Sequence, residues 1–280
     1  MSTFIPTADT LPAAAAPQFF AELRRRQPTL AAAAQLFLLG ALPCLIAMAV
    51  DERTVNDISV WVKPAKFFVS LSLYYATLAW FFGYLPEQAQ HTRSGRFVIV
   101  APLVAGGLEM VWMIAAAVLG VPAHFNRSSL FWEVAYGAAG AGATVLLVAI
   151  LVQGLMFARD RQSALPPALR RALVLGAVLS CVCTLITAIT LSSGAGHWVG
   201  GAPTDAGSLP LMGWSRSGGD LRVAHFFALH MHQALPLAAW LIVASGLRRP
   251  MAAVHLSAAA MLGATVFVFV QALSGRPFIG

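Results

Sequence analysis

Between Gly218 and Trp240 the sequence reads GGDLRVAHFFALHMHQALPLAAW. The stretch is apolar enough for a membrane span, yet its first half carries Asp220, Arg222, His225, His230, His232 and Gln233. Metal binding, haem binding and proton transfer are the chemistries such a set can serve. A metal held by one helix needs ligands three or four residues apart. The three histidines are separated by five, two and seven residues, so no pair qualifies. His225 and His232 share a face, since seven residues fall ~20° short of two turns, but they stand ~10 Å apart along the axis. A transition metal at His225 or His232 would need ligands from other helices, and His124 has the matching depth. The H-x-x-x-H pair of an intramembrane zinc hydrolase does not occur.

Haem b fits more of the pattern. His225 or His232 would be the axial ligand, with Phe226, Phe227, Leu229 and Met231 packing the ring. Arg222 lies one turn above His225, and Lys63 and Lys66 open another span in WVKPAKF. Two lysines at a helix N-terminus oppose the helix dipole. They are expected to meet an anion, either a haem propionate or another small anionic ligand. Pro64 between them suits a first helical turn, where its missing N–H costs nothing.

The third chemistry rests on Glu109 and His232. Glu109 lies twelve residues past Phe97, so ~18 Å from one face of the membrane. His232 lies eleven residues past Leu221, so ~16 Å from the other. In a hydrocarbon core of ~30 Å both reach the midplane, where a histidine and a carboxylate can exchange protons. The plainer reading of each is an interhelical hydrogen bond that fixes packing.

Composition defines the elements that position these residues. The chain has 280 residues, 59% hydrophobic and 10% charged, with mean hydropathy +0.75. A soluble domain is about 25% charged, so an all-α polytopic membrane bundle is predicted. Apolar runs far longer than barrel strands of ~9–11 residues exclude a β-barrel. Seven spans are expected, at residues 30–50, 66–85, 97–120, 132–157, 171–191, 222–244 and 251–273. Residues 30–280 then form one membrane domain, and residues 1–29 a loose tail with a short amphipathic piece at FFAELRRR. The first apolar run, 21 residues long with 29 before it, exceeds the ~7–15 residues of a signal-peptide core and reads as a retained helix.

The net charge of +7 does not indicate nucleic acid, because the cations lie between apolar spans. Eleven sit in one set of loops: Arg24, Arg25, Arg26, Arg93, Arg96, Arg159, Arg161, Arg170, Arg171, Arg248 and Arg249. Seven sit in the other: Arg53, Lys63, Lys66, Arg127, Arg216, Arg222 and Arg276. The positive-inside rule puts the richer set in the cytoplasm of a cell inner membrane, with the N-terminus inside and the C-terminus outside. Cys44, Cys181 and Cys183 all fall within spans and give no disulfide framework.

The outer half then collects His124, His225, His232, Lys66, Arg222, Gln271 and Glu109, whereas the inner half has little beyond Gln153 and His255. Loop 192–220, with eight glycines, two prolines, Trp198 and Trp214, is expected to rest on the membrane interface as a cap. Ser180, Thr184 and Thr187 mark the inward face of the fifth span. The expectation is an outward-facing pocket binding haem or a metal ion in a redox or binding role. A proton-coupled transporter or channel is the alternative, followed by a sensor or scaffold. No internal repeat of the kind common in transporters is found.

Overall fold

A computed structural model describes residues 15–160 and 164–280 of the chain. The fold is an all-helical bundle, and seven of its helices are long and apolar enough to cross a membrane. They are α2 (Pro28–Val50), α3 (Val62–Phe82), α4 (Arg93–Leu119), α5 (Leu130–Arg159), α6 (Pro167–Ser193), α7 (Leu221–Ala244) and α8 (Pro250–Leu273). A shorter helix, α1 (Ala15–Arg26), precedes them. Each predicted span lies largely within its helix, but most helices start two to four residues earlier. Backbone hydrogen bonding continues through the polar ends of an apolar run, where side chains cap it. The Gln27 side chain accepts from Leu30 N, Thr92 from Gly95 N and Asp220 from Arg222 N.

Helices adjacent in sequence pack against one another, α2 on α3 and then on to α7 on α8, with α6 also touching α8. Helix α3 is the hub. Tyr75 donates to the Pro102 carbonyl of α4, Tyr74 donates to Leu146 O of α5, and Gln153 of α5 donates back to Leu78 O. Its tyrosines, Leu78 and Phe82 are buried with Leu30, Met110, Met113, Ile150 and Phe157 in the main core. The close approach of α3 to α4 depends on Gly106, since a Cβ there would collide with the Tyr75 hydroxyl.

The amphipathic piece expected at FFAELRRR is helix α1, and it is docked rather than loose. Leu23 is fully buried. Phe19 stacks on Trp80, and the Arg26 guanidinium lies 4.0 Å from the Trp80 ring centre while donating to Trp80 O. Residues 1–14 of that expected tail, and Arg161, lie outside the described residues.

On the face opposite α1, four short strands and the end of the chain form a cap. Strands β1 (Thr54–Val55) and β2 (Ile58–Ser59) pair as a hairpin. Its two turn residues, Asn56 (φ 54°) and Asp57 (φ 66°), take the left-handed region that a two-residue hairpin loop requires. Strands β3 (Trp198–Val199) and β4 (Gly219–Asp220) pair across loop 192–220. That loop is fastened to the hairpin by Asp205 N on Asn56 O and by the Thr204 hydroxyl on Asp57. Trp214 is buried against Phe226 and Phe278. Gly219 lies so close to the Ala272 carbonyl that no side chain fits between them.

Candidate functional site

The site is assembled at the cap end of the bundle. Glu109, 7% exposed, points from α4 toward α5 beside Gly142. Its partner is His124, whose Nε2 lies 3.2 Å from Glu109 Oε1. An ionised carboxylate can only accept, so the His124 Nε2–H donates. His124 reaches inward because the α4–α5 connection folds back on itself. Gly120 (φ 69°) caps α4 in the left-handed region, Trp112 Nε1 donates to Ala123 O, and Phe125 (φ 62°) reverses the chain. Phe67 and Tyr136 flank the imidazole ring. Burial and the Lys63 ammonium push the His124 imidazole below its ordinary pKa, against the opposing pull of Glu109.

Lys63 and Lys66 are the second and fifth residues of α3. Lys63 is within electrostatic range of Glu109, Asp205 and Arg222. Among the described residues it closes no ion pair and makes no hydrogen bond. Lys66 Nζ donates to Met212 O at 3.0 Å, which holds the cap strap 209–214 down on the bundle.

Arg222 has a different partner set from the one its sequence position suggests. It donates to Asp220, to Asp205 at 2.8 Å and to Gly213 O. Asp205 also accepts from His197 Nε2 at 3.1 Å. Burial pushes the Asp205 carboxyl up, but the His197 hydrogen bond and the Arg222 charge outweigh it and hold the group below its ordinary value. Burial depresses His197, against the opposing pull of Asp205. His197 and Asp205 belong to this network, yet sequence reading does not single them out as site residues. The anion that Arg222 was expected to meet is thus supplied by the chain, whereas Lys66 meets a carbonyl and Lys63, among the described residues, closes no ion pair. Three cations stand against Glu109, Asp205 and Asp220: Lys63 is within electrostatic reach of Glu109 and Asp205, and Lys66 and Arg222 of Asp205 and Asp220.

The two histidines deeper in α7 go elsewhere. His225 Nδ1 faces the Thr187 hydroxyl of α6 at 3.3 Å. His232 is buried, and its Nδ1 lies 2.7 Å from Leu229 O. The expected pairing of Glu109 with His232 does not form. Depth fixes how far along a helix a residue lies, not the direction it faces, and Glu109 turns to His124 instead. His230 bonds Gln233, which reaches Thr77 of α3. Ser180, Thr184 and Thr187 are buried on the face of α6 that meets α7, with Ser180 donating to Leu229 O. Among the described residues no group of three or more His, Cys, Asp or Glu is placed to hold a metal ion.

A separate groove of about 320 Å³ lies on the cap surface, lined by Thr204, Ser215, Arg216, Ser217 and Gly280 among others. It does not include Lys63, Glu109 or His124. No protein-family model, no curated protein and no solved structure matches the chain.

Proposed function

We propose that this multi-pass protein sits in a bacterial-type inner membrane, with its N-terminus cytoplasmic and its cap outside, and binds a small polar molecule at Lys63, Glu109 and His124. The orientation rests on the eleven-to-seven division of cations. The site rests on one observation. The Lys63 ammonium and the Glu109 carboxylate lie within electrostatic range without closing an ion pair, while His124 holds the carboxylate from the cap side. A lone ammonium seeks an acceptor, and Glu109 Oε2 seeks a donor. A ligand carrying both, such as a small zwitterion, bridges them. Because the six ionic groups already balance, an uncharged or zwitterionic ligand adds no net charge to a poorly solvated site.

The same geometry favours this reading over haem or a transition metal at His225 and His232. Arg222, expected over a propionate, already donates to two carboxylates and a carbonyl. The purified protein is tested by thermal unfolding against neutral amino acids, small carboxylates and ferric haem. Neutral amino acids are expected to stabilise the wild type, by about 2.7 kcal/mol at a hundredfold excess over Kd, and not Lys63→Met or Glu109→Gln. Stabilisation by haem or simple anions alone, stabilisation that survives both substitutions, or no response to any class overturns the reading.

A further inference from the structure

His232 lies at the meeting of α3, α5, α6 and α7, 4% exposed. Its Nδ1 is 2.7 Å from the Leu229 carbonyl oxygen. A carbonyl can only accept, so Nδ1 carries the proton, and Nε2 of the neutral ring is a bare lone pair. That lone pair is buried and, among the described residues, has no hydrogen-bond partner. An unmet buried acceptor is rare and demands a partner.

The ring borders a small cavity whose walls include Phe81, Phe157, Leu173, Ala177 and Gln153. It offers about 10 Å³ to the centre of a water-sized sphere, close to the ~10–15 Å³ that one water needs. An internal water also needs at least two polar partners. Gln153, 2% exposed, supplies the second. Its Nε2 donates to Leu78 O at 2.9 Å, which leaves the amide oxygen as an acceptor.

A histidine whose Nδ1–H is fixed on a backbone carbonyl is also oriented as metal-ligating histidines are. Among the described residues, however, the cavity wall offers no second His, Cys, Asp or Glu. A ligand here must be uncharged, no larger than one water, and able to donate two hydrogen bonds. We infer that His232 and Gln153 form an intramembrane site for a single water molecule, which donates to His232 Nε2 and to the Gln153 amide oxygen. Through Gln153 and Leu78 the water joins α7 to α5 and α3. The site is separate from the Lys63–Glu109–His124 site, and its test does not depend on that one.

Magic-angle-spinning NMR of the full chain in lipid bilayers, with ¹⁵N- and ¹³C-labelled histidine, tests this. His232 is assigned by the signal lost in His232→Gln. The expected spectrum shows His232 with a protonated Nδ1, an unprotonated Nε2 and magnetisation transfer from water to the ring. In Gln153→Leu that transfer should fall severalfold, with the tautomer unchanged. A protonated Nε2, a metal-bound Nε2, or no water transfer in the wild type overturns the inference. So does undiminished transfer in Gln153→Leu. If Gln153→Leu does not fold, the wild-type tautomer and water transfer decide the matter alone.

Discussion

Asp205 Oδ1 lies 2.8 Å from Arg222 Nη2, so a loop residue seventeen positions earlier in the chain locks onto the first turn of α7. Asp205 is 5% exposed and also holds His197. Asp205→Asn removes the charge but keeps the shape. A hydrogen bond to a charged group contributes about 1.5–3 kcal/mol, which translates into roughly tenfold or more in cap opening. The rate of tryptic cleavage at Arg216, exposed on the cap, should rise by that factor while helix content is retained.

Acid should loosen the same cap. His197, ordinarily near 6.5, is depressed by burial in the closed cap. Below about that pH an opened loop takes up a proton that the closed cap resists, so closure weakens as pH falls from 6.5 through the depressed value. Asp205 lies below its ordinary 3.8. Its contribution is present above 3.8 and is lost as pH falls further. Cleavage at Arg216, read with an acid-tolerant protease after inserting its site there, should accelerate in two stages. His197→Gln should remove the upper one.

Glu109 and His124 should behave as one unit, and Glu109 and His232 as strangers. In double-mutant cycles on thermal stability, Glu109→Gln with His124→Gln should show a coupling of about 0.5–3 kcal/mol. Glu109→Gln with His232→Gln should be additive within ~0.5 kcal/mol. The opposite pattern would restore the pairing that depth alone suggests.

That pairing shows where sequence reading stops. Seven helices are legible because each apolar run is long enough to span a membrane, and polar residues within the runs stand out for the same reason. Depth along a helix can be counted only roughly: Glu109 meets His124 at the cap end, whereas His232 lies beside Phe81 and Phe157, near the ends of α3 and α5 that point away from the cap. Which neighbour each faces depends on helix rotation and on loops that dip inward. His124 reaches Glu109 through a left-handed residue at Phe125, a position where glycine would have been the recognisable signal. Asp205 and His197 lie in a glycine-rich loop without periodicity, so nothing in its pattern announces that they meet Arg222. The docking of α1 is partly legible, since FFAELRRR is amphipathic, but its aromatic partner Trp80 is more than fifty residues away.

The contact between α3 and α4 predicts a contrast between neighbouring glycines. Gly106→Ala drives a methyl into the Tyr75 hydroxyl, which is held on Pro102 O. The cost of such overpacking is about 1–3 kcal/mol. Gly107→Ala meets nothing within 4 Å and should be neutral, or stabilising by up to ~1 kcal/mol from helix propensity. Thermal midpoints of the two variants in one detergent distinguish them.

The proposed orientation opens the polar site to the outer face at His124, whose side chain is 21% exposed. The most direct measurement is thiol labelling in a background with Cys44, Cys181 and Cys183 replaced. His124→Cys and, on the opposite face, Arg93→Cys are treated with a membrane-impermeant maleimide in intact cells and in inverted vesicles. His124→Cys should label in cells and Arg93→Cys only in inverted vesicles. Labelling of Arg93→Cys in cells, with His124→Cys reacting only in inverted vesicles, would reverse the orientation and place His124 on the cytoplasmic side.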